Sequence, residues 1–216
     1  LDVNFDYKDN VSLIHHQPRK IVELQNGKFL VLVDEYLLSG SVTGYSEYGI
    51  NHSQGAELFR LNSDFTIDQT FHIPISGATT LNSIKDFDIQ SDGKIILVGV
   101  FNSINSISCY KIARLNVNGD FDSTFNLLNP VNFSNNSYTQ ITSVKVMPND
   151  KIIIGGKFWF SSTTTSSNNF LILNSNGTRD YTFKTRNGGG LPGNDVINVS
   201  DYLEVTSLDI DASRKI

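Results

Sequence analysis

Apolar and polar residues alternate in short runs along the chain, and no apolar stripe of helical period and length occurs. In the stretch SVKVMPNDKIIIGGKF (143–158), an alternating run leads through a polar turn into a run that is apolar at consecutive positions. Alternation is typical of a strand with one buried face, whereas a continuous apolar run fits a strand buried on both faces. The pattern therefore predicts an all-β chain of short antiparallel strands.

This two-strand pattern recurs along the chain. It occurs as IVELQNGKFLVLV (21–33), DFDIQSDGKIILVGVF (86–101) and SVKVMPNDKIIIGGKF (143–158), and SLDIDASRKI (207–216) begins a fourth copy. The Asn-Gly and Asp-Gly pairs predict tight hairpins, and the aligned Gly99 and Gly156 predict a bulge or a close backbone approach. In each first strand one apolar pair marks the buried face: Val22/Leu24, Phe87/Ile89, Val144/Val146 and Leu208/Ile210.

A second block follows each hairpin. LFRLNSDFTIDQTF (58–71), IARLNVNGDFDSTF (112–125) and FLILNSNGTRDYTF (170–183) align without a gap, and LDVNF (1–5) ends similarly, with Asn4 in place of Thr. We expect the Asp and Thr side chains to fix a turn and the Phe ring to fill the core. The structural motif therefore comprises Asp68, Thr70, Phe71, Asp122, Thr124, Phe125, Asp180, Thr182 and Phe183.

The two blocks together define the domain organisation. The four Phe residues that end the motif (Phe5, Phe71, Phe125 and Phe183) lie 66, 54 and 58 residues apart. A unit of three or four strands cannot bury both of its faces alone, so neighbouring units must stack. We therefore predict one array of tandem antiparallel β-sheet repeats, resembling β-propeller blades or solenoid turns: 1–5 (end of a preceding repeat), 6–71 (repeat 1), 72–125 (repeat 2), 126–183 (repeat 3) and 184–216 (start of repeat 4).

The incomplete units at both ends bear on the size of the array. We expect the chain to be a slice of a longer array. A ring closed through a composite blade, and neighbouring chains that cover the open ends, are the alternatives.

Composition excludes several classes of protein. Hydrophobic residues make up 39% and charged residues 18%, which suffices for a core and argues against disorder. A net charge of -5 argues against nucleic acid as a partner and gives no electrostatic reason to bind an anionic membrane. The chain contains no run of about 18 apolar residues, which is the length that predicts a membrane-spanning helix. The single cysteine, Cys109, allows no disulfide within the chain, and we expect it to fill a strand or loop position.

The motifs SDGKIILVGVF, IARLNVNGDFDSTF, KIIIGGKF and NSNGTRDYTF resemble the delta-60 repeat family, a β-propeller-like repeat. The resemblance covers nearly the whole chain. Repeat 3 departs from it with Ile172 at the Arg position, and repeat 1 lacks the Gly pair and has a long insert. The resemblance implies a part of a large bacterial surface or secreted protein or of a phage particle, without an assigned catalytic activity.

Variable loops between the second and third strands are the best candidates for binding. The insert at 36–55 carries Tyr45 and Tyr48, and the loop at 158–169 carries Trp159 among Ser, Thr and Asn residues. Such aromatic residues suit stacking on sugars or packing on a partner. Packing between blades is the alternative role for Trp159, because strand alternation places it on the face opposite Phe158.

Metal binding and catalysis have weaker support. The loop NVNGDFD (116–122) resembles a calcium loop in its oxygen ligands, but the twelfth position is Leu127 where a Glu is needed. We expect no cofactor, with calcium as the alternative, and no catalytic residues or metal ligands stand out.

The sequence thus predicts a non-catalytic structural or binding module of an extracellular, cell-surface or virion-associated assembly, such as a phage tail or fibre. Its predicted partners are flanking repeats or other protein subunits, and a cell-surface glycan is a further candidate. Scaffold and receptor binder are not distinguished. The alternative is a propeller-type glycan hydrolase or lyase with acidic residues around a central channel.

Overall fold

The structure is a computed structural model of the chain. It describes residues 14–37, 46–47, 50–51, 56–71, 73, 84–101, 103–104, 107–109, 111–125, 140–158, 168–180, 182 and 206–209. The regular structure of these residues consists of thirteen β-strands without a helix. The predicted all-β class is therefore confirmed.

Each repeat forms one three-stranded antiparallel sheet in which the second strand lies in the middle. Repeat 1 contributes β1 (Ile14–Glu23), β2 (Phe29–Leu37) and β5 (Ala56–Leu61). Repeat 2 contributes β6 (Ile84–Ile89), β7 (Ile95–Gly99) and β10 (Ile112–Leu115). Repeat 3 contributes β11 (Gln140–Val146), β12 (Ile152–Phe158) and β13 (Asn168–Leu173).

Two small hairpins lie in the connections between second and third strands. Repeat 1 has β3 (Ser46–Glu47) paired with β4 (Ile50–Asn51), and repeat 2 has β8 (Ser103–Ile104) paired with β9 (Ile107–Ser108). The variable loops therefore leave the same end of successive sheets.

The hairpins between first and second strands turn where the sequence predicts them. Gly27 and Gly93 have φ angles of +74° and +82°, and Asp150 takes the equivalent position in repeat 3 with a φ of +60°. Glycine adopts this region without steric cost, and Asp is among the few other residues that tolerate it. The preceding side chain also braces the turn, since Asp92 Oδ1 accepts the backbone N–H of Lys94 at 3.1 Å.

The middle strand of repeat 2 is buried on both faces, as its continuous apolar run predicts. Ile95 and Leu97 lie in a cluster shared with repeat 1, whereas Ile96 and Val98 lie in a cluster shared with repeat 3. We call the side of a repeat toward the preceding repeat its leading face and the side toward the following repeat its trailing face. Stacking of sheets, rather than any single sheet, thus forms the core.

Two clusters fill the spaces between the sheets. The first contains Leu30, Leu32, Leu58 and Phe71 of repeat 1 and Ile84, Phe87, Ile95, Leu97, Phe101, Ile104, Cys109, Ala113 and Leu115 of repeat 2. The second contains Ile96, Val98, Ile112 and Phe125 of repeat 2 and Ile141, Val144, Ile152, Ile154, Phe158, Leu171 and Leu173 of repeat 3. Phe71 and Phe125, the ends of the repeated motif, are therefore core side chains on the trailing faces.

Repeat 1 differs from the others in the face that its first strand buries. Val22 and Leu24 pack toward repeat 2, whereas Phe87 and Ile89 pack toward the preceding repeat. Strand pairing explains this difference. Phe87 pairs with Leu97, and the residue that pairs with the equivalent Val31 in repeat 1 is Ile21. The prediction that Val22/Leu24 mark the buried face of β1 is therefore confirmed, but this face meets the following repeat instead of the preceding one, and Ile21 is 56% exposed.

Gly99 and Gly156 mark bulges, as predicted. Gly156 pairs with Ile141 just before a register shift in β11, and Gly99 pairs with Ile84 just before a shift in β6. A Cβ on Gly156 would lie 2.4 Å from the carbonyl oxygen of Gln140. Only glycine allows this approach of two backbones.

No helix in the described part of the chain is long and apolar enough to cross a membrane.

Candidate functional site

The Asp-x-Thr-Phe motif forms the same hydrogen-bonded turn in each repeat. In repeat 2, Asp122 Oδ1 accepts the backbone N–H of Thr124 at 2.9 Å and its hydroxyl at 2.6 Å. The backbone N–H of Phe125 donates to the carbonyl of Asp122 at 3.1 Å. Asp68 and Asp180 make the same bonds to the Thr two residues on. In repeats 1 and 2 the bonds of this turn therefore position the backbone of the Phe that ends the motif.

The other carboxylate oxygen of each Asp binds a lysine that ends the first hairpin. Lys28 Nζ donates to Asp68 Oδ2 at 2.7 Å, and Lys151 Nζ donates to Asp180 Oδ2 at 2.6 Å. In repeat 2, Lys94 Nζ lies 3.4 Å from Asp122 Oδ2. The two blocks of the sequence repeat are therefore joined by an ion pair within each repeat.

An arginine completes this site in repeats 1 and 2. Arg60 Nε donates to Asp68 Oδ2 at 2.7 Å, and Arg114 Nε donates to Asp122 Oδ2 at 2.8 Å. Each guanidinium also lies over the Phe that ends its motif, 4.6 Å from the ring centroid of Phe71 in repeat 1. These four charged side chains are at most 7% exposed, so each charge depends on its partner.

The pairs set the protonation of the carboxylates. Burial opposes the charged form of Asp122, but the bonds from Thr124 and the charge of Arg114 outweigh it and lower its pKa to about 2. Bonds from Lys151 and Thr182 lower the pKa of Asp180 to about 2 as well. Burial likewise opposes ionisation of Asp68, and donors that include Lys28 lower its pKa further. All three carboxylates are ionised at neutral pH.

The arginines also contact the next repeat. We call the contact region between two consecutive repeats a joint. Arg114 Nη1 donates to the carbonyl of Ser175 in repeat 3 at 2.7 Å. Arg60 Nη1 donates to the carbonyl of Val117, which holds the equivalent position in repeat 2. One guanidinium therefore connects the motif of its own repeat with the turn of the following one.

The Phe of the motif meets a glycine at the joint between repeats 2 and 3. The Phe125 ring lies 2.9 Å from the place where a Cβ on Gly177 would stand. Gly177 has a φ of +89° and is buried, although the turn residues just before it are exposed. The glycine therefore serves both the turn and the close contact with the preceding repeat.

Two carboxylates of β6 form a second set of bonds across this joint. Asp86 Oδ2 accepts the backbone N–H of Val144 at 3.0 Å, and Asp88 Oδ2 accepts that of Val146 at 2.7 Å. The other oxygen of Asp88 accepts the N–H of Ile89 at 3.0 Å. Backbone donors on the free edges of two first strands are thus satisfied by side chains, which blocks pairing with foreign strands.

Lys20 extends this set to the joint between repeats 1 and 2. Its ammonium group donates to Asp86 Oδ1 at 2.8 Å and to the carbonyl of Phe87, and it lies 4.9 Å from the centroid of the Phe87 ring. At the hairpin tips, Asp150 of repeat 3 accepts the backbone N–H of Ser91 at 2.8 Å. Polar bonds therefore run along both joints.

Sequence reasoning did not identify the lysines, the arginines or the β6 carboxylates as partners. The lysines carried a usable signal, because Lys28, Lys94 and Lys151 recur at the same place as faithfully as the Asp residues. Asp86 and Asp88 carried none, since the equivalent residues in repeat 3 are Ser143 and Lys145.

Repeat 3 lacks the arginine. Ile172 replaces it and lies in an apolar cluster with Ile153 and Phe170, against which Leu208 packs. Leu208 therefore lies on the trailing face of repeat 3, and residues 206–209 are described without a strand, so the start of a fourth repeat stays a prediction.

The side chains that would bind calcium in the alternative prediction are bonded to protein groups. Both carboxylate oxygens of Asp122 accept donors, and Asn118 Nδ2 donates to Asp120 Oδ2 at 2.7 Å. Within the described ranges, no three His, Cys, Asp or Glu side chains are grouped in a way that could hold a metal ion.

Several of the predicted residues have no structural description. Among them, Tyr45, Tyr48, Trp159, Phe183, Ile210 and the segment 1–5 lie outside the described residues. Cys109 is described and buried in the core cluster, and this burial raises the pKa of its thiol to about 12. A thiol in this state is a poor nucleophile.

Comparison with known proteins supports the fold. The model of a family described as a domain of unknown function (DUF5122) beta-propeller matches two segments, residues 90–125 and 148–183. No curated protein and no solved structure is detectably similar to the chain. Each matched segment runs from the first hairpin turn to the Phe that ends the motif. Repeats 2 and 3 thus each contain a segment similar to this β-propeller family, within an all-β array of antiparallel sheets.

Proposed function

We propose that this chain is a non-catalytic structural and binding module, made of β-propeller repeats of the delta-60 kind. In this proposal it belongs to an extracellular, cell-surface or virion-associated assembly, and its variable loops contact protein subunits or a glycan. The repeats supply a rigid frame and the loops supply the contacts.

The proposal rests on one observation: the charged side chains that recur in the repeats are bonded to other groups of the repeats. Asp68, Asp122 and Asp180 accept protein donors on both oxygens, and their low pKa values make them weak bases. A general acid or base instead needs a pKa near the working pH and an accessible proton. These repeated carboxylates therefore suit structure better than glycan cleavage.

The loops are the part of the chain that the repeat leaves free to vary. The connections between second and third strands span 38–55, 100–111 and 159–167, and they differ in length and sequence. Each of them joins the end of the second strand to the start of the third strand of its sheet. Tyr45, Tyr48 and Trp159 fall within them, among hydroxyl and amide side chains that suit a sugar.

A binding screen tests the proposal. Purified chain is applied to a glycan array and to surface extracts, and the same assay is run with Tyr45→Ala, Tyr48→Ala and Trp159→Ala. Val117→Ser is the matched control, because Val117 is exposed in a turn at the opposite end of repeat 2. We expect loop variants to lose at least tenfold in affinity and the control to keep it.

Three other outcomes are informative. Binding that survives all loop variants contradicts the loop assignment. If the unaltered chain binds nothing in the screen, the binding role is contradicted and the scaffold role is the one that remains. Release of shortened glycans during incubation contradicts the non-catalytic proposal and favours the hydrolase or lyase.

A further inference from the structure

Phe65 stands at an unusual place in repeat 1. It holds the position of Gly119 in repeat 2 and Gly177 in repeat 3, and it shares their left-handed backbone with a φ of +65°. A bulky residue rarely adopts this conformation, and such outliers persist where the surroundings require them. Phe65 is 44% exposed, whereas both glycines are buried.

The joint between repeats 2 and 3 shows why glycine occurs at this position. The Phe125 ring of repeat 2 approaches Gly177 so closely that a Cβ there would lie 2.9 Å from a ring carbon. Contacts this short essentially never occur, so any residue with a side chain would displace the ring. A preceding repeat can dock in this geometry only on a repeat that carries glycine.

The residue beneath the ring also differs in repeat 1. Phe125 shares a buried cluster with Ile152, and Phe71 shares one with Ile95, each the first residue after the hairpin lysine. The equivalent residue in repeat 1 is Phe29. Its ring stacks on the Phe65 ring of the same repeat, with centroids 5.2 Å apart and an interplanar angle of 19°.

We propose that Phe65 makes the leading face of repeat 1 a cap. It supplies from within the repeat the aromatic ring that repeats 2 and 3 receive from the preceding repeat. Its Cβ also prevents the Phe of a preceding Asp-x-Thr-Phe motif from taking the position that Phe125 takes against Gly177 at the joint between repeats 2 and 3. At this position repeat 1 thus differs from repeats 2 and 3 in two residues, Phe65 and Phe29.

A graft tests the cap directly. In the graft, a second copy of repeat 2 (residues 72–125) replaces residues 1–5. Phe125 of this copy then takes the place of Phe5 in the sequence. The spacing suits docking, because Phe5 precedes Lys20 by the same 15 residues that separate Phe71 from the equivalent Asp86. The graft is made in three forms of repeat 1: unaltered, Phe65→Gly and Phe65→Asn. Asn tolerates the left-handed backbone but keeps the Cβ.

A single thiol reports docking of the graft. Both copies of Cys109 are changed to Ala, and Val98→Cys is introduced in the grafted copy alone. Val98 is fully buried on the trailing face of repeat 2. We expect the thiol to react with an aromatic disulfide reagent at least tenfold more slowly with Phe65→Gly than with Phe65 or Phe65→Asn. The same graft placed between Phe125 and Asn126 should be protected, since repeat 3 presents Gly177.

The proposal is overturned if the grafted thiol is as well protected with Phe65 as with Phe65→Gly. It is also overturned if Phe65→Gly leaves the thiol as reactive as in denaturant. A reactive thiol in the graft ahead of repeat 3 contradicts the joint geometry on which the cap depends. The loop-binding screen is independent of all these outcomes.

Discussion

Arg114 of repeat 2 donates to the carbonyl of Ser175 in repeat 3 at 2.7 Å while its Nε binds Asp122 at 2.8 Å. One side chain therefore links the turn of its own repeat to the turn of the next. Arg60 makes the equivalent pair of contacts with Asp68 and Val117. In repeats 1 and 2 the Asp of the repeated motif thus holds the arginine that joins the repeat to the next one, while the other bonds of this Asp stay within its own repeat.

Replacing Arg114 should uncouple repeats 2 and 3. Arg114→Met leaves Lys94, at 3.4 Å, as the remaining cation beside the buried Asp122 carboxylate, so we expect the free energy of unfolding to fall by about 3 kcal/mol. Denaturant unfolding measures it. Arg114→Met combined with Asp122→Asn should recover part of the loss, because no unpaired charge is left. A double variant less stable than Arg114→Met would contradict the role of the ion pair.

Acid should destabilise the array between about pH 4 and pH 2. The pKa values of Asp122 and Asp180 are lowered from 3.8 to about 2 in the folded chain. As the pH falls, the unfolded chain takes up these protons first, so the stabilisation present above pH 4 is lost progressively towards pH 2. We expect the melting temperature to fall by about 5 °C or more across this window.

Two variants separate this effect from general acid denaturation. Asp122→Asn should lower stability at pH 7 and reduce the further loss on acidification. Val117→Ser, an exposed substitution in the same repeat that removes no carboxylate, should keep the pH dependence of the unaltered chain. A melting temperature that stays constant from pH 4 to pH 2 would contradict the assignment.

The β6 carboxylates should protect backbone amides of the next repeat. Asp88→Ala removes the acceptor of the half-buried Val146 N–H, and the lost hydrogen bond costs about 1 kcal/mol. We expect amide hydrogen exchange at Val146 to accelerate about tenfold or more. Asp92→Ala is the control, since its carboxylate accepts only from Lys94 of the same turn. Unchanged exchange at Val146 in Asp88→Ala would show that the edge bond does not form in solution.

Gly156 should tolerate substitution less well than Gly93. A Cβ at position 156 meets backbone atoms of β11, the closest at 2.4 Å, whereas one at position 93 meets a methyl group of Val117 at 3.1 Å. Side chains can give way where paired backbones cannot, so we expect Gly156→Ala to cost about 3 kcal/mol or more and Gly93→Ala about 1 kcal/mol. Thermal melts decide between them, and an equal or reversed order would contradict the tight bulge.

Much of the frame follows from the sequence because it depends on local chemistry. Positive φ at Gly27 and Gly93, the two-sided burial of Ile95–Val98 and the bulge at Gly156 each follow from residue type and period. Local reasoning found the buried pair of β1, Val22/Leu24, but not the neighbour it meets, since the similar pair Phe87/Ile89 packs toward the preceding repeat and Val22/Leu24 toward the following one. Strand register, not alternation alone, decides which neighbour a face meets.

The joints could not be predicted because they are contacts between distant residues. Nothing in the vicinity of Arg114 indicates the carbonyl of Ser175, 61 residues away. Asp86 and Asp88 likewise find donors 58 residues away on another sheet edge. The loop residues Tyr45, Tyr48 and Trp159 remain a prediction about binding.

A double-mutant cycle between Phe125 and Gly177 tests the central claim, that the motif of one repeat seats on the turn of the next. Phe125→Leu removes the ring atoms nearest to Gly177 but keeps the core filled, and Gly177→Ala introduces the clashing Cβ. The backbone strain of Ala at this φ persists in both backgrounds, so the coupling energy isolates the contact. We predict that Gly177→Ala costs at least about 1 kcal/mol less with Leu at position 125 than with Phe. Additive costs, within about 0.3 kcal/mol, would contradict the claim.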